Sequence, residues 1–328
     1  MRIKQMFTTV DTHTEGGPTR IVTSGIRPLK GASIAEKRDY FKANYDNVRE
    51  CLLNHPRGYQ GMFGAVLVEP TQPNVDIGVF FLTNTGYLDM CVHSAIGVAA
   101  ACIETGMISP SGKDSLIRLE TPSGIICLWP TLVDNNLESI SIEPGPSFVH
   151  TESILLDIGL DAPIIASIVF SAVFFIMIDV GKIGLKVTAA DVEKLRDLAC
   201  RSIEKANKAL SKGDSTEGGG TMVDLAFLYE DIDSTSCVSA VFSKSGVLDR
   251  SPCGAGTAAK MTLMHHRGEF AQNKNYINRS IFATKFEGWI TKSQVNGKET
   301  KVWSRISGSA HITGFHQFMV DASDELHV

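Results

Sequence analysis

A seven-residue pattern occurs twice in this chain, and each copy leads to a cysteine. Residues 83–89 read TNTGYLD ahead of Cys91, and residues 243–249 read SKSGVLD ahead of Cys253. Both fit the pattern Ser/Thr-x-Ser/Thr-Gly-x-Leu-Asp, and the copies lie 160 residues apart. A chain with this repeat is constrained to fold as two related halves.

The stretches that follow the two cysteines predict helices. Both are rich in small residues and reach a glycine, Gly106 or Gly268, where a left-handed C-terminal cap fits. The first N–H groups of a helix lack partners and concentrate positive charge, so a thiol there is biased toward thiolate and an anion can bind beside it. Around Cys253 alone, the small residues are equally compatible with close packing around a buried thiol. The shared pattern extends both interpretations to Cys91.

A second pair of helices supports the duplication. Ser33 with Glu36 forms a capping box ahead of one apolar stripe, and Thr188 with Asp191 opens the other. Strand-like runs lie between the helices, and the most apolar one, residues 168–178, predicts a buried strand. These elements predict two related α/β halves, whose pseudo-symmetry would bring both cysteines to one cleft.

The composition limits the kinds of partner. The chain has 328 residues, 43% of them hydrophobic, which suits a soluble globular protein of about two domains. A net charge of −5 without a basic cluster argues against nucleic acid or a membrane surface and favours a small molecule. The N-terminus lacks a signal peptide's apolar core, and the most apolar run is too short to span a bilayer. Seven scattered cysteines without a CxxC pair predict reduced thiols in a cytoplasmic protein.

Two cysteines at helix starts could invert a stereocentre next to a carboxylate. Inversion removes a weakly acidic proton from one face of the carbon and delivers a proton to the other. A thiolate and a thiol on opposite sides would supply both steps. The helix starts could also bind the carboxylate and stabilise the charge that develops as the proton leaves. This scheme needs no metal or organic cofactor.

The chain resembles the proline racemase family, which includes 4-hydroxyproline epimerases and trans-3-hydroxyproline dehydratases. The resemblance runs nearly end to end, and the motif around the second cysteine is its most specific part. It is carried by DTHTEGGPTRIV (11–22), HPRGYQGMFGAV (55–66), LDMCVHSAIG (88–97), LDRSPCGAGTAAK (248–260) and SGSAHITGFHQFMVD (307–321).

The resemblance implies a fold like that of diaminopimelate epimerase. Such an α/β fold has two pseudo-symmetric halves, each a curved sheet around a central helix, with the active site between them. We place the division near residues 146–152, beside the Gly-Pro pair at 145–146, which gives halves of 1–148, completed by 313–328, and 149–312. Family members commonly form homodimers and use no cofactor, and we expect both properties here.

The resemblance also assigns roles to single residues. Cys91 and Cys253 match the acid/base pair, each deprotonating one enantiomer and protonating the other. His93 and Asp249 match the residues that contact the ring nitrogen of the substrate.

Other positions match the groups that hold the carboxylate and the ring. The carboxylate-binding amides are those of Val92, His93, Gly254 and Ala255. Phe63 and Phe242 are expected to line the pocket against the ring.

Cys253 also bears on the reaction type, because the dehydratases of the family typically carry threonine at this position. Epimerisation is therefore favoured over dehydration, which stays an alternative. The PTR of DTHTEGGPTR occurs among epimerases, whereas the aromatic Phe63 and Phe242 suit an unsubstituted ring. We favour proline as the substrate and keep 4-hydroxyproline as the alternative.

Several residues depart from the family pattern around the expected pocket. Val92 replaces a glycine, Ser171 and Ala172 replace a Gly-Gly pair, Tyr59 and Gly61 replace a histidine and an aspartate, and HTEGG at 13–17 replaces the commoner HTxGE. A changed substrate range and a weakened activity are therefore both open alternatives.

Three other functions compete with an isomerase. A metal site could use Asp11, His13 and Glu15 on one strand face, although the Gly-Gly-Pro that follows them fits a tight turn better. A cysteine hydrolase would need one cysteine with a histidine base, and it leaves the second copy of the pattern unexplained. A non-catalytic amino-acid-binding protein could have kept the fold without the reaction.

Overall fold

Contacts within the chain gather into two compact units. A computed structural model describes residues 2–110, 115–213, 222–297 and 299–324. The first unit comprises Met1–Ile142 with Gly308–Val328, and the second comprises Glu143–Ser307. The predicted halves, 1–148 with 313–328 and 149–312, stay a prediction about domains.

The first unit is a mixed sheet with two helices. Its elements are β1 (Ile3–Thr14), β2 (Gly17–Ser24), α1 (Ile34–Leu53), β3 (Phe63–Val68), β4 (Ile77–Thr83), β5 (Gly86–Leu88), α2 (Val92–Glu104), β6 (Ile117–Thr121), β7 (Gly124–Val133), β8 (Asn136–Ile142) and β17 (Ala310–Asp321). The order is β17-β1-β2-β3-β4-β6-β7-β8, and the β2–β3 and β4–β6 pairs are parallel. Because α2 contacts strands from both ends of this order, β17 and β8, the sheet curves around α2.

The second unit repeats this arrangement. Its elements are β9 (Pro146–Leu156), β10 (Ile164–Ser171), β11 (Val173–Asp179), 3-10 turns at Gly181–Ile183 and Ala189–Asp191, α3 (Val192–Gly213), β12 (Val223–Asp233), β13 (Ser236–Ser243), α4 (Gly254–His266), β14 (Tyr276–Ser280), β15 (Lys285–Asn296) and β16 (Glu299–Gly308). The strands follow in chain order, again with two parallel pairs, β11–β12 and β13–β14. Val302 of β16 pairs with Ser147 of β9, which closes this sheet into a barrel. The predicted α/β class with two repeated halves is confirmed.

The helices that follow the two cysteines are buried on nearly every side. All residues from Val92 to Cys102 in α2 are buried, as are most of the first three turns of α4. A helix whose residues are mostly small or apolar on every side can be enclosed in this way. Small residues let the walls approach closely: a Cβ at Gly256 would lie 2.5 Å from the Phe227 ring. None of the described helices is long and apolar enough to cross a membrane.

Most of the predicted helix boundaries agree with the structure. Gly106 and Gly268 follow α2 and α4 with φ of 75° and 73°, which confirms the left-handed caps. Ser33 caps α1 and accepts the N–H of Glu36 at 3.2 Å. Helix α3 begins later than predicted, because Thr188 opens a short 3-10 turn and the α-helix starts at Val192.

The prediction of one strand over residues 168–178 is wrong. The segment is a hairpin in which β10 and β11 pair antiparallel, with Phe170 opposite Phe174 and Ser171 opposite Val173. Ala172 forms the turn with a φ of 62°. Both arms of the hairpin are largely buried, so Ser171 is the one polar residue in its apolar run, and alanine at the turn gives no turn signal.

Candidate active site

The first cysteine lies where β5 leads into α2. Cys91 is the N-cap of α2 with an extended backbone, φ −147° and ψ 113°, and it is 8% exposed. Ala95 donates its N–H to the Cys91 carbonyl at 2.9 Å, the first hydrogen bond of the helix. The thiol is therefore placed at the positively charged end of a buried helix.

Side chains of the first helical turn surround the Cys91 thiol. Its Sγ lies 3.2 Å from Ser94 Oγ and 3.6 Å from His93 Nδ1. Burial by itself raises the pKa of this thiol, but the charge of His93 and hydrogen bonds from His93 and Ser94 outweigh burial, so the pKa lies below its ordinary value. Burial raises the pKa of Cys102, further along the same helix, to about 12. Of these two thiols, Cys91 is the one prepared to ionise.

His93 is fixed by contacts within the first unit. Thr14 of β1 donates its hydroxyl to the His93 carbonyl at 2.7 Å. Phe63 packs edge-on against the imidazole, with ring centroids 4.5 Å apart and an angle of 82° between the planes. The structure thus brings together Cys91, His93 and Phe63, three of the residues expected at the site.

Val92 is the first residue of α2 and is buried. It is not among the described non-glycine residues with positive φ. Valine at this position therefore causes no strain in the left-handed region, and its N–H belongs to the first turn of the helix, as expected for a carboxylate-binding amide.

The second cysteine has a different backbone. Cys253 caps α4 with φ 62° and ψ 103°, and it is 7% exposed. Gly256 donates its N–H to Cys253 Sγ at 3.4 Å, and Thr257 donates its N–H and its hydroxyl to the Cys253 carbonyl, both at 2.8 Å. Residues with a Cβ rarely adopt this φ, and those that do cluster at functional sites.

The turn before Cys253 has two more residues than the turn before Cys91. Asp249 accepts the N–H and the hydroxyl of Ser251 on Oδ1, both at 2.8 Å. The Ser251 hydroxyl in turn accepts the N–H of Cys253 at 3.1 Å. Asp249 is thereby tied to Cys253 through one side chain, and Gly254 and Ala255 form the first two positions of α4.

Phe242 is not grouped with these residues. It is fully buried in the apolar core that β13 shares with α3. Side chains alternate along a strand, so Ser239 points to the other face, where Asn278 links it to Thr257 of α4. Phe242 thus packs toward α3, away from the helix that carries Cys253, which does not fit the pocket-lining role expected of it.

A family model described as proline racemase matches residues 9–327 of the chain. The chain belongs to the proline racemase family. It is 34% identical over 328 residues to a proline racemase of Clostridioides difficile, covering 99% of this chain and 98% of the relative. With equal coverage, it is 32% identical to a 4-hydroxyproline 2-epimerase of Streptosporangium roseum and 30% identical to a trans-3-hydroxy-L-proline dehydratase of Bacillus cereus. The predicted enzyme class, an isomerase of the racemase and epimerase type, is confirmed at the level of the family.

A solved structure has the same fold. A hydroxyproline epimerase from Agrobacterium vitis with bound trans-4-OH-L-proline superposes with a TM-score of 0.86 at 21% identity, covering 98% of this chain and 95% of that chain. At this identity the likeness concerns the fold alone, and it agrees with the predicted class.

One departure from the proline racemase family pattern has a local explanation. Gly61 has a φ of 86° and donates its N–H to Asn84 Oδ1 at 2.8 Å. The Asn84 amide donates to the carbonyl of Tyr59 at 3.1 Å, while the Tyr59 side chain is 51% exposed. Glycine suits this left-handed position, where the family pattern has aspartate.

A second departure, the HTEGG segment, forms the turn between β1 and β2. Glu15 and Gly16 have φ of 46° and 93°, so the tight turn suggested by the sequence is present. The Asp11 carboxylate is paired with Arg20 at 2.8 Å. Within the described residues, no group of three histidine, cysteine or acidic side chains is placed to hold a metal.

The sequence reasoning missed three polar residues that contact the cysteines or their neighbours. Ser94 contacts the Cys91 thiol and receives a hydrogen bond from Thr19 at 3.0 Å. Ser251 and Asn278 bind the turn before Cys253. The spacing of Ser94, three residues after a helix-capping cysteine, was available as a signal, whereas Asn278 lies on a strand and carried none.

Proposed function

We propose that this protein is a cofactor-independent racemase or epimerase that inverts the α-carbon of proline or a hydroxyproline with Cys91 and Cys253 as its two acid/base groups. One observation carries the proposal: in a chain of this family, each unit presents a cysteine as the N-cap of its buried central helix. The two cysteines alone would carry out both proton transfers.

The proposed reaction exchanges protons between the substrate and two thiols. One cysteine, as thiolate, takes the α-proton, and the electrons of the broken C–H bond move into the carboxylate. The other cysteine, as thiol, delivers its proton to the opposite face of the carbon. The two cysteines end with their protonation states exchanged, so the reverse direction uses the same groups in opposite roles.

The amides at the two helix starts are proposed to hold the substrate carboxylate. Those of Val92 and His93 belong to α2, and those of Gly254 and Ala255 belong to α4. Donors of this kind stabilise negative charge as it develops, which lowers the barrier to removal of the α-proton. His93 and Asp249 are the proposed contacts of the ring nitrogen, with Phe63 against the ring.

Proline and 4-hydroxyproline are the two candidate substrates. The half-buried Phe63 ring against His93 favours an unsubstituted ring, and the relative of highest identity named above is a proline racemase. The 4-hydroxyproline alternative is supported by the epimerase relative and by the ligand in the Agrobacterium structure.

A substrate panel in D₂O tests the proposal. The purified enzyme is incubated with L- and D-proline, trans-4-hydroxy-L-proline and trans-3-hydroxy-L-proline, followed by chiral chromatography and mass spectrometry. Inversion with one deuterium at the α-carbon is expected for at least one of the first three. Water loss from the 3-hydroxy compound would indicate a dehydratase, and binding without α-exchange would indicate an amino-acid-binding protein.

A planar analogue tests the pocket itself. Pyrrole-2-carboxylate is flat at the carbon that inverts, so it mimics the transition state and should bind more tightly than proline. It should also protect Cys91 and Cys253 from iodoacetate without changing the labelling of cysteines elsewhere in the protein. Absence of binding by calorimetry, with unchanged labelling of both thiols, would contradict the proposal.

The proposal includes a homodimer in a reducing compartment such as the cytoplasm. All seven cysteines are thiols, which suits such a compartment. Light scattering should give twice the 35.5 kDa mass of one chain; a monomer that racemises proline at full rate would rule out a required dimer.

A further inference from the structure

Cys253 is held in its positive-φ conformation by contacts on both sides. Its N–H donates to Ser251 Oγ at 3.1 Å, and its carbonyl accepts the Thr257 hydroxyl at 2.8 Å. The carbonyl of the preceding Pro252 accepts Nδ2 of Asn278 at 2.8 Å. Every one of these partners lies in the second unit, so the conformation is set locally.

Asn278 is the residue that joins these contacts to the barrel wall. It lies on β14 and is fully buried. Its Nδ2 donates to the Pro252 carbonyl and also to Thr257 Oγ1, at 2.9 Å. Its Oδ1 accepts Ser239 Oγ at 2.8 Å and Cys237 Sγ at 3.2 Å. All four hydrogen-bonding positions of the amide are therefore used.

Asn278 and Thr257 form a polar relay from the barrel wall to the residues around Cys253. The first unit has no polar residue at either corresponding position. Cys237, which pairs with Asn278 across β13 and β14, lies six residues before Ser243 at the start of the repeated pattern. In the first unit, the residue six before the start of the pattern is Ile77, which pairs with Leu119 across β4 and β6. Leu119 is apolar and fully buried. Likewise Thr257, four residues after Cys253, corresponds to Ala95, four residues after Cys91. The polar relay accompanies only the cysteine whose backbone has positive φ.

We propose that Asn278 is a positioning residue that acts through Pro252 and Thr257 to hold Cys253 in its positive-φ conformation and so aims the Cys253 thiol for proton transfer. This inference rests on the proposed function of Cys253. Asn278 itself touches no reacting atom. Its amide is suited to the task because donors are needed toward α4 and acceptors toward β13, and only an amide supplies both from one planar group.

Two variants break the relay with little change in shape. Thr257→Val removes the hydroxyl between Asn278 and the Cys253 carbonyl. Asn278→Asp keeps the acceptor side but removes both donors. Each variant has a matched control in the same unit: Thr262→Val removes a buried hydroxyl of α4 that has no hydrogen-bond partner among the described residues, and Asn207→Asp removes a donor to the Val223 carbonyl.

The main readout is the reactivity of Cys253 relative to Cys91. Iodoacetamide labelling of both cysteines is followed by peptide mass spectrometry in one sample, with Cys91 as the internal reference. Thr257→Val and Asn278→Asp should change the Cys253 rate at least about fivefold and leave the Cys91 rate unchanged. Both controls should stay within about twofold of the parent protein for both cysteines.

The second readout is turnover with the substrate found in the D₂O panel. Misdirection of the thiol should lower kcat by about 10- to 100-fold with little change in KM, while the controls keep the parent kcat. A loss of kcat that follows the fall in melting temperature, with an unchanged Cys253 to Cys91 labelling ratio, would show a merely structural role and overturn the proposal. So would relay variants that behave like their controls.

The two proposals can fail separately. If the protein inverts no substrate, the proposed function fails, and the labelling ratio still tests the effect of Asn278 on Cys253. If Asn278→Asp does not fold, the isosteric Thr257→Val decides the result.

Discussion

The two cysteine-bearing helix starts differ more than their shared sequence pattern suggests. Cys91 has a relaxed, extended backbone and a thiol surrounded by His93 and Ser94. Cys253 has a positive φ and a thiol that accepts the N–H of Gly256. Equivalent positions in the repeat have thus acquired different means of controlling a thiol, side-chain electrostatics in one unit and backbone geometry in the other.

The difference has a source in the chain. One residue separates Asp89 from Cys91, whereas the three residues Arg-Ser-Pro separate Asp249 from Cys253, an insertion of two. The Ser251 hydroxyl of this insert binds both Asp249 and the Cys253 N–H. Duplication explains the common topology, and this short insertion accounts for the local divergence.

The largest expected effect comes from removing either thiol. Cys91→Ser and Cys253→Ser should each lower racemisation at least about 1,000-fold, because inversion needs an acid and a base and a serine hydroxyl is a far poorer base. Chiral chromatography measures the loss of racemisation, and thermal melts show whether each variant is still folded. Cys102→Ala, a change in the same helix as Cys91, should keep activity.

Equal losses at Cys91 and Cys253 would show that the two helix starts are both required despite their different geometry. Near-normal racemisation by either serine variant would contradict the two-thiol mechanism.

The next effect separates the two thiols by pH. In His93→Gln, the charge that lowers the pKa of Cys91 is removed while burial, which raises it, remains. The midpoint of Cys91 alkylation against pH should therefore move to higher pH, and the acidic limb of the rate profile should move to higher pH with it. The Cys253 midpoint serves as the control. A shift of equal size at Cys253 would mean that His93 does not act locally.

Much of this fold could be predicted from the sequence, because its signals are local. Helix caps at Ser33, Gly106 and Gly268 follow from residue type and spacing. The repeat predicted the paired topology without any knowledge of the strand partners. The hairpin at Ala172 was missed because one serine in an otherwise apolar run, with alanine at the turn, is too weak a signal to mark a turn.

The sequence contains a signal for the proposed reacting residues of the candidate site and none for the residues that support them. Cys91 and His93 are two residues apart, so one motif contains both. Asn278 is 25 residues after Cys253 and reaches the residues beside it only because β14 pairs with β13. Phe242 is the opposite case: the resemblance to the family placed it against the ring of the substrate, but strand alternation turns it toward α3.

A smaller effect is expected at the residue after each cysteine, valine in one unit and glycine in the other. Val92→Gly should change the ratio of kcat/KM for proline against 4-hydroxyproline by about fivefold, since a pocket contact worth one or two methyl groups discriminates on this scale. Loss of a buried valine side chain should also cost about 1.5–3 kcal/mol of stability. Val92→Ala is the control for that loss. An equal gain on both substrates would mean that Val92 only obstructs the site.

The smallest effect tests whether all positive-φ residues of the second unit serve the reaction. Ala172 shares its positive φ with Cys253, but it lies in the β10–β11 turn. Glycine there removes a strain of about 1–2 kcal/mol and adds about 0.4–1 kcal/mol of unfolded-state entropy. Ala172→Gly should therefore raise the melting temperature by at most about 3 °C and leave kcat unchanged. Ser171→Gly, at a neighbour that is not among the positive-φ residues, should lower the melting temperature instead. If relief at Ala172 lowered kcat, strain in the turn would be coupled to catalysis, and the contrast between a functional conformation at Cys253 and an incidental one at Ala172 would be lost.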